Sequence, residues 1–396
     1  MPSVSARWDS PSLRASLFHL TVFAPMAVSS VYLAIWLSEK GIQADQIGIV
    51  GAVPVAGLLI LNLFIGRLAD KAKDWRTVIV ILALLGGAFP LGLFFVSEFW
   101  SIVLVWAFCA MSSGSIAPVI DAATMRLVQR TGGDFGTIRA WGTVGYVVAA
   151  SGVGFAVTAF GTAAFVPLFF AVSLLRALVS LQLPRFRAPE AVPTLAALSP
   201  EPAKLSAALK PWFVLPLVAF ALVNAGHGVL GSFAALLWHQ HGVPDYYIGP
   251  LIATSALAEA VMMFLWQRFG GRVTARSMIL AACIAALIRF TAMAFDPPVA
   301  VLFGLQTLHA VTYGVGYFGV VHFIANWTGE DIAAEAQGFA TMLQQATLVI
   351  TLAGFGWLVA HVGVASYFAI SVLSLLGIGC VLLSLRLRPP KDAVLP

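Results

Sequence analysis

"PRFRAPEAVPTLAALSPEPAKLSAALK", residues 184–210, is the only long polar, proline-rich stretch in this chain of 396 residues. The sequence on either side of it is of another kind. The whole chain is 60% hydrophobic and 10% charged, with a mean hydropathy of +0.94. A soluble domain of this length cannot hide so much apolar surface, so the main solvent must be lipid. A spanning helix needs roughly 20 mostly apolar residues. Six such segments precede the polar stretch, starting near Leu13, Gln46, Thr77, Trp100, Phe135 and Ala163. Six follow it, starting near Pro211, Tyr247, Thr274, Pro298, Glu335 and Val364. The fold expected is therefore an all-α integral membrane protein. Twelve transmembrane helices form two pseudo-symmetric six-helix bundles, residues 1–184 and 211–396, and residues 185–210 are a linker.

Alternation with a period of two is missing, which excludes a β-barrel reading. Leu17 to Leu37, with "AVSS" imitating a cleavage site, is too long an apolar run for a signal peptide and reads as an uncleaved first helix. Lysine and arginine set the orientation. Only Lys40 falls in an outer loop, whereas Arg67, Lys71, Lys73, Arg76, Arg126, Arg130, Arg185, Lys210, Arg268 and Arg276 are among the many on the other side. The positive-inside bias then predicts a multi-pass membrane protein with both termini and the linker cytoplasmic. The net charge of +5 reports that topology and not a nucleic-acid partner. Cys109, Cys283 and Cys380 lie in separate apolar segments without CxxC spacing, so neither a disulfide framework nor a zinc site is expected. "HQH" at His239–His241 sits at a span end and reads as interfacial polar residues. No metal and no cofactor are expected, and the chain reads as a monomer in the bilayer.

The two halves carry traces of a repeat. "GRLADKAKDWR" (Gly66–Arg76) joins spans two and three, and "QRFGGRVTAR" (Gln267–Arg276) joins spans eight and nine. Arg67 matches Arg268, Lys71 matches Arg272, and Arg76 roughly matches Arg276. The first copy resembles the loop signature of the major facilitator superfamily, and the second has Gly271 where the aspartate would be. Asp70 and Arg76 are expected to belong to a charged gate that closes in one state and opens in the other.

Few ionisable residues remain inside the spans. Asp121 lies in span four, Arg139 in span five, Glu259 in span eight and Arg289 in span nine; His19, His227, His309 and His322 join them. Two acids and two arginines make a neutral set. Ionisable groups inside a bundle mark substrate or proton paths more often than structural pairs.

"PVIDAA" and "DFGTIRAWGTVGYVVAAS", with Asp121 and Arg139 eighteen residues apart, resemble lactose permease and its relatives. "ALIRFTAMAF" and "LQTLHAVTYGVGYF" resemble that family's arginine and histidine of helices nine and ten, at Arg289 and His309. "YLAIWLSEKGI", "NAGHGVLGSFAALLW" and "LAEAVMMF" extend the resemblance, over nearly the whole chain, to the 3-phenylpropionate permease branch, which is related also to nucleoside proton symporters. The sequence departs from the sugar transporter at Thr312 and Gln306, where that relative has a glutamate and a lysine.

The resemblance implies a proton-coupled symporter, not an enzyme, that imports a small organic solute by alternating access, with an aromatic carboxylate as the first expectation. Asp121, Arg139, Trp141, Tyr146 and His227 would bind substrate, and Glu259, Arg289 and His309 would carry the proton. Three alternatives stay open: a sugar or nucleoside symporter, a drug or metabolite exporter, and a non-transporting sensor. No GxSxG, HExxH or paired catalytic aspartates support an intramembrane enzyme.

Overall fold

The computed structural model describes residues 10–131, 133–186, 209–269, 273–328 and 330–387. Among them every regular element is helical, as lipid demands: backbone amides without water must bond within their own segment. The helices are α1 (Pro11–Glu39), α2 (Ala44–Lys71), α3 (Trp75–Phe94), α4 (Phe99–Thr131), α5 (Phe135–Phe160) and α6 (Phe165–Ser180). They continue with α7 (Pro211–Gln240), α8 (Asp245–Phe269), α9 (Ala275–Met293), α10 (Val299–Trp327), α11 (Glu330–Val362) and α12 (Tyr367–Leu387). Glu335–Leu387 is one apolar stretch of 53 residues. As a single helix it would run about 80 Å, far beyond a bilayer, and the 3-10 turn Gly363–Ser366 divides it. Each helix begins within about five residues of the start read from hydropathy alone.

Several helices among the described residues are interrupted within their spans. α1 breaks at Phe23, two residues before Pro25, whose missing N–H removes a helix hydrogen bond. α4 breaks at Ser115, three residues before Pro118. α7 contains a π turn at Leu230–Ala234, and α10 contains one at Ala310–Val315. A π turn inserts a residue into the helical repeat and rotates everything after it, and such turns concentrate at functional sites.

The chain forms two compact units. The first is Met1–Ala191 with Ser232–Ala256, and the second is Val192–Gly231 with Leu257–Pro396. The end of α7 and the first half of α8 group with the first unit, where the end of α7 packs on the second part of α1. Most of the linker lies outside the described residues.

Helix pairing repeats inside each unit. α1 packs on α5 and α3 on α6, just as α7 packs on α11 and α9 on α12. The loop repeat has a matching physical use. Arg76, opening α3, donates from Nη2 to the Leu181 carbonyl just past α6 at 2.7 Å. Arg276, opening α9, donates from Nε to Ser384 Oγ on α12 at 3.0 Å and lies over the Phe323 ring at 4.8 Å. Each cation ties the third helix of its unit to the sixth.

Candidate functional site

The first site is built where α5 begins. Asp134 caps that helix, accepting from Thr137 N–H at 2.7 Å and from Thr137 Oγ1 at 2.6 Å. These two hydrogen bonds hold the exposed Asp134 carboxyl below the ordinary carboxylate range. The cap fixes the first turn and so places Arg139 on the second. The α1–α5 crossing is tight at Gly145: a Cβ there would meet the Leu20 carbonyl oxygen at 1.8 Å. That approach brings the α1 break against α5, and the Phe23 ring lies under the Arg139 guanidinium at 4.5 Å.

Arg139 Nε faces Asp121 on α4, at 3.1 Å from Oδ1 and 3.4 Å from Oδ2. The bond uses the inner edge of the guanidinium. No described protein group accepts from Nη1 or Nη2, and the side chain keeps 33% of its exposure. This is the geometry of an arginine oriented by one carboxylate with its terminal fork presented elsewhere. His19 on α1 is fully buried and its Nε2 meets Thr124 Oγ1 at 3.0 Å, a polar tie between α1 and α4.

The sequence-predicted binding residues fall in both units. Tyr146, seven residues after Arg139, shares its helix face and is half-buried. Trp141 is two residues after Arg139, which puts it on the far side of α5, and it is 45% exposed. The aromatic ring at the guanidinium is Phe23, which no motif marked. His227 lies in the second unit, with His309.

The second site gathers around α10. Glu259 Oε2 on α8 meets His309 Nε2 at 3.2 Å. The His309 ring meets His227 edge-on at 4.8 Å between centroids and stacks on Tyr313 at 5.4 Å. His227 Nε2 reaches Thr312 Oγ1 at 2.9 Å. Arg289 on α9 is fully buried; its Nη2 donates to Gln306 Oε1 and its Nη1 approaches Thr312 Oγ1 at 3.5 Å. Thr312 and Gln306, the two departures from the sugar transporter, are thus partners of Arg289. His309 directly precedes the π turn of α10, and His227 lies three residues before that of α7. Those turns were not legible from sequence.

Of the gate pair, the Asp70 side chain lies outside the described residues. Arg76 is engaged with the Leu181 carbonyl, and Asp74 accepts from the Arg76 and Phe186 backbone amides at 2.8 and 3.1 Å. His239 of the "HQH" stretch meets Asp245 at 2.7 Å through Nδ1. One intramembrane cation is missing from the set expected from sequence. Arg176 on α6 is only 1% exposed, so the interior set is not neutral. Its signal in the sequence is a lone arginine in "AVSLLRALVS", whose place near the end of its span resembles that of an interfacial charge.

Membrane-spanning helices in two compact units, with ionisable residues kept inside them, are the architecture of membrane transporters. The chain belongs to the MFS_1 like family, matched over residues 12–357, and is a multi-pass membrane protein. It is 24% identical over 384 residues, 94% of its length and 96% of the relative's, to a protein of Escherichia coli (strain K12) described as a probable 3-phenylpropionic acid transporter. It is 24% identical over 324 residues, 81% of its length and 80% of the relative's, to the maltose permease of Geobacillus stearothermophilus. The crystal structure of the nucleoside transporter NupG superposes with a TM-score of 0.79 at 16% identity, covering 95% of this chain and 98% of that one.

Proposed function

We propose that this protein is a proton-coupled symporter that imports a small aromatic carboxylate across a bacterial inner membrane by alternating access, with both termini cytoplasmic. The observation that carries the substrate class is the Arg139 fork: Nε is held by Asp121 while Nη1 and Nη2 have no acceptor among the described residues. A planar guanidinium so oriented binds a carboxylate through two parallel hydrogen bonds. Phe23 supplies aromatic surface beside it, Tyr146 stands on the same face of α5 two turns on, and the relative described as a probable 3-phenylpropionic acid transporter points the same way.

In this reading Glu259 carries the proton. A carboxyl and a histidine in direct contact inside the membrane exchange a proton with little movement of heavy atoms. His227 and Arg289 frame the pair through Thr312, which touches both. The gate at Asp70 and Arg76 is part of the same proposal, and Asp70→Asn should slow transport more than it weakens binding, because the change falls on the conformational equilibrium.

A second reading has one specific support. Asp121 half-neutralises Arg139, and a carboxylate beside a guanidinium also suits hydroxyl groups, as in a sugar or nucleoside; a maltose permease is among the relatives. Asp121→Asn separates the two. For a carboxylate bound by Arg139 alone, affinity survives or tightens; for a polyol, it falls severely. Calorimetric titration of 3-phenylpropionate, maltose and uridine into wild type and Asp121→Asn decides between them, and a wild type that binds only maltose or uridine ends the carboxylate reading.

A further inference from the structure

Two buried arginines among the described residues belong to neither site: Arg276, which ties α9 to α12, and Arg176. The Arg176 guanidinium lies at the junction of α3, α4 and α6, with Nη2 donating to Ser113 Oγ on α4 at 2.9 Å. Gly86 on α3 makes the room: a Cβ there would sit 2.5 Å from Nη2 and 3.2 Å from Ser112 Oγ. Gly86 is eleven residues into α3, about 16 Å from its start, so this charge lies well inside the span. The described structure gives Arg176 no carboxylate partner, only a neutral hydroxyl. An arginine stays protonated even there.

Such a charge is costly in a membrane interior, and a snug hydroxyl bond does not neutralise it. Charges well inside the first unit therefore sum to Asp121, Arg139 and Arg176, one negative and two positive. The second unit's Glu259 and Arg289 cancel. Arg176 on α6 is bonded to the helix that carries Asp121 through Ser113, which precedes Asp121 by eight residues, about 12 Å for a helix running straight through the Ser115 break.

We propose that Arg176 is a specificity-determining residue of the α4–α5 site. Its uncancelled charge makes the interior of the first unit net positive once Asp121 has paired with Arg139, and so selects a monoanion over a neutral solute of the same shape. The proposal rests on the carboxylate reading and deepens it. A unit charge about 12 Å away, at an effective dielectric near 20, changes the affinity of an anion about tenfold and leaves a neutral ligand untouched. Arg176 does not touch the substrate; it acts on it through space.

The test uses the purified full-length protein and two probes of equal shape, 3-phenylpropionate and 3-phenylpropionamide, titrated by calorimetry. Wild type is expected to prefer the acid. Arg176→Gln should weaken acid binding about tenfold and move amide binding less than about twofold. Arg176→Lys, which keeps the charge, should hold the wild-type ratio. Ser113→Asp keeps the arginine and neutralises it in place, so it should reproduce the glutamine variant's lost preference even where that variant folds poorly. A purely structural role predicts parallel losses for acid and amide, and an unchanged acid-to-amide ratio in both Arg176→Gln and Ser113→Asp overturns the proposal. A wild type that binds the amide as well as the acid overturns the carboxylate reading and this inference with it. A wild type that prefers the acid, with variants that keep its ratio, overturns the inference alone.

Discussion

Arg139 and Arg289 are both intramembrane arginines, yet the two units treat them in opposite ways. Arg139 is one-third exposed, is held by a carboxylate on one edge, and keeps its fork open. Arg289 is fully buried, with Nη2 donating to Gln306 and Nη1 approaching Thr312. The acids differ in the same sense: Asp121 orients an arginine, whereas Glu259 meets a histidine. The contrast teaches a division of labour. A guanidinium held on one edge leaves its fork open to a ligand, while a fully buried one leaves no such edge. The titratable contact in the second unit is therefore Glu259–His309.

The comparison breaks first at Arg139. Arg139→Ala should weaken substrate binding on the order of a hundredfold or more, since a bidentate charged contact is lost. Arg139→Lys should recover little of it, because the fork is gone. Full binding by the alanine variant in a calorimetric titration would remove the anchor role.

Next comes the acid of the second unit. Glu259→Gln should keep exchange between equal substrate pools while accumulation driven by a pH gradient falls to none, and His309→Ala should show a milder form. Counterflow and gradient-driven uptake in the same proteoliposomes separate these. Accumulation that persists in Glu259→Gln would shift coupling to Asp121 or a histidine. Absence of any pH response in wild type would leave a uniporter.

Stability sharpens the contrast further. Arg289→Ala opens a cavity and strips partners from Gln306 and Thr312, which should cost about 3 kcal/mol. Arg139→Ala removes a partly exposed pair and should cost less than about 1 kcal/mol. Melting temperatures in detergent should fall by several degrees for the first variant and barely for the second; equal shifts would erase the distinction.

The smallest effect concerns the turn that carries Arg139. The Asp134 carboxyl is held below its ordinary range in the folded chain by the Thr137 hydrogen bonds. Its contribution is therefore fully present above the unfolded value near 4, and is lost as pH falls through the lower folded value. Wild type should melt slightly above Asp134→Ala at pH 7, and the gap should close as the pH falls below about 4. A gap that widens in acid would reverse the assignment.

Much of this was legible in the chain itself. The twelve spans, the loop repeat and the interior charges at Asp121, Arg139, Glu259, Arg289 and His309 all follow from apolar run lengths and the cost of charge in lipid, which are local properties. The loop repeat even extends to paired uses for Arg76 and Arg276. Partnerships were not legible. Spacing along one helix fixes the angle of a side chain about that helix's own axis, so it can separate Tyr146 from Trp141 but cannot say what either meets. That depends on how neighbouring helices cross, and on breaks that reset the angle. The kink at Phe23 carried an unmarked ring to Arg139. Tertiary packing placed His227 beside His309. It grouped Ser232–Ala256 with the first unit's contacts, and it turned Arg176 inward against Ser113 where Gly86 left space. Hydropathy decides that a segment crosses the bilayer; only packing between helices decides which of its faces meets which neighbour.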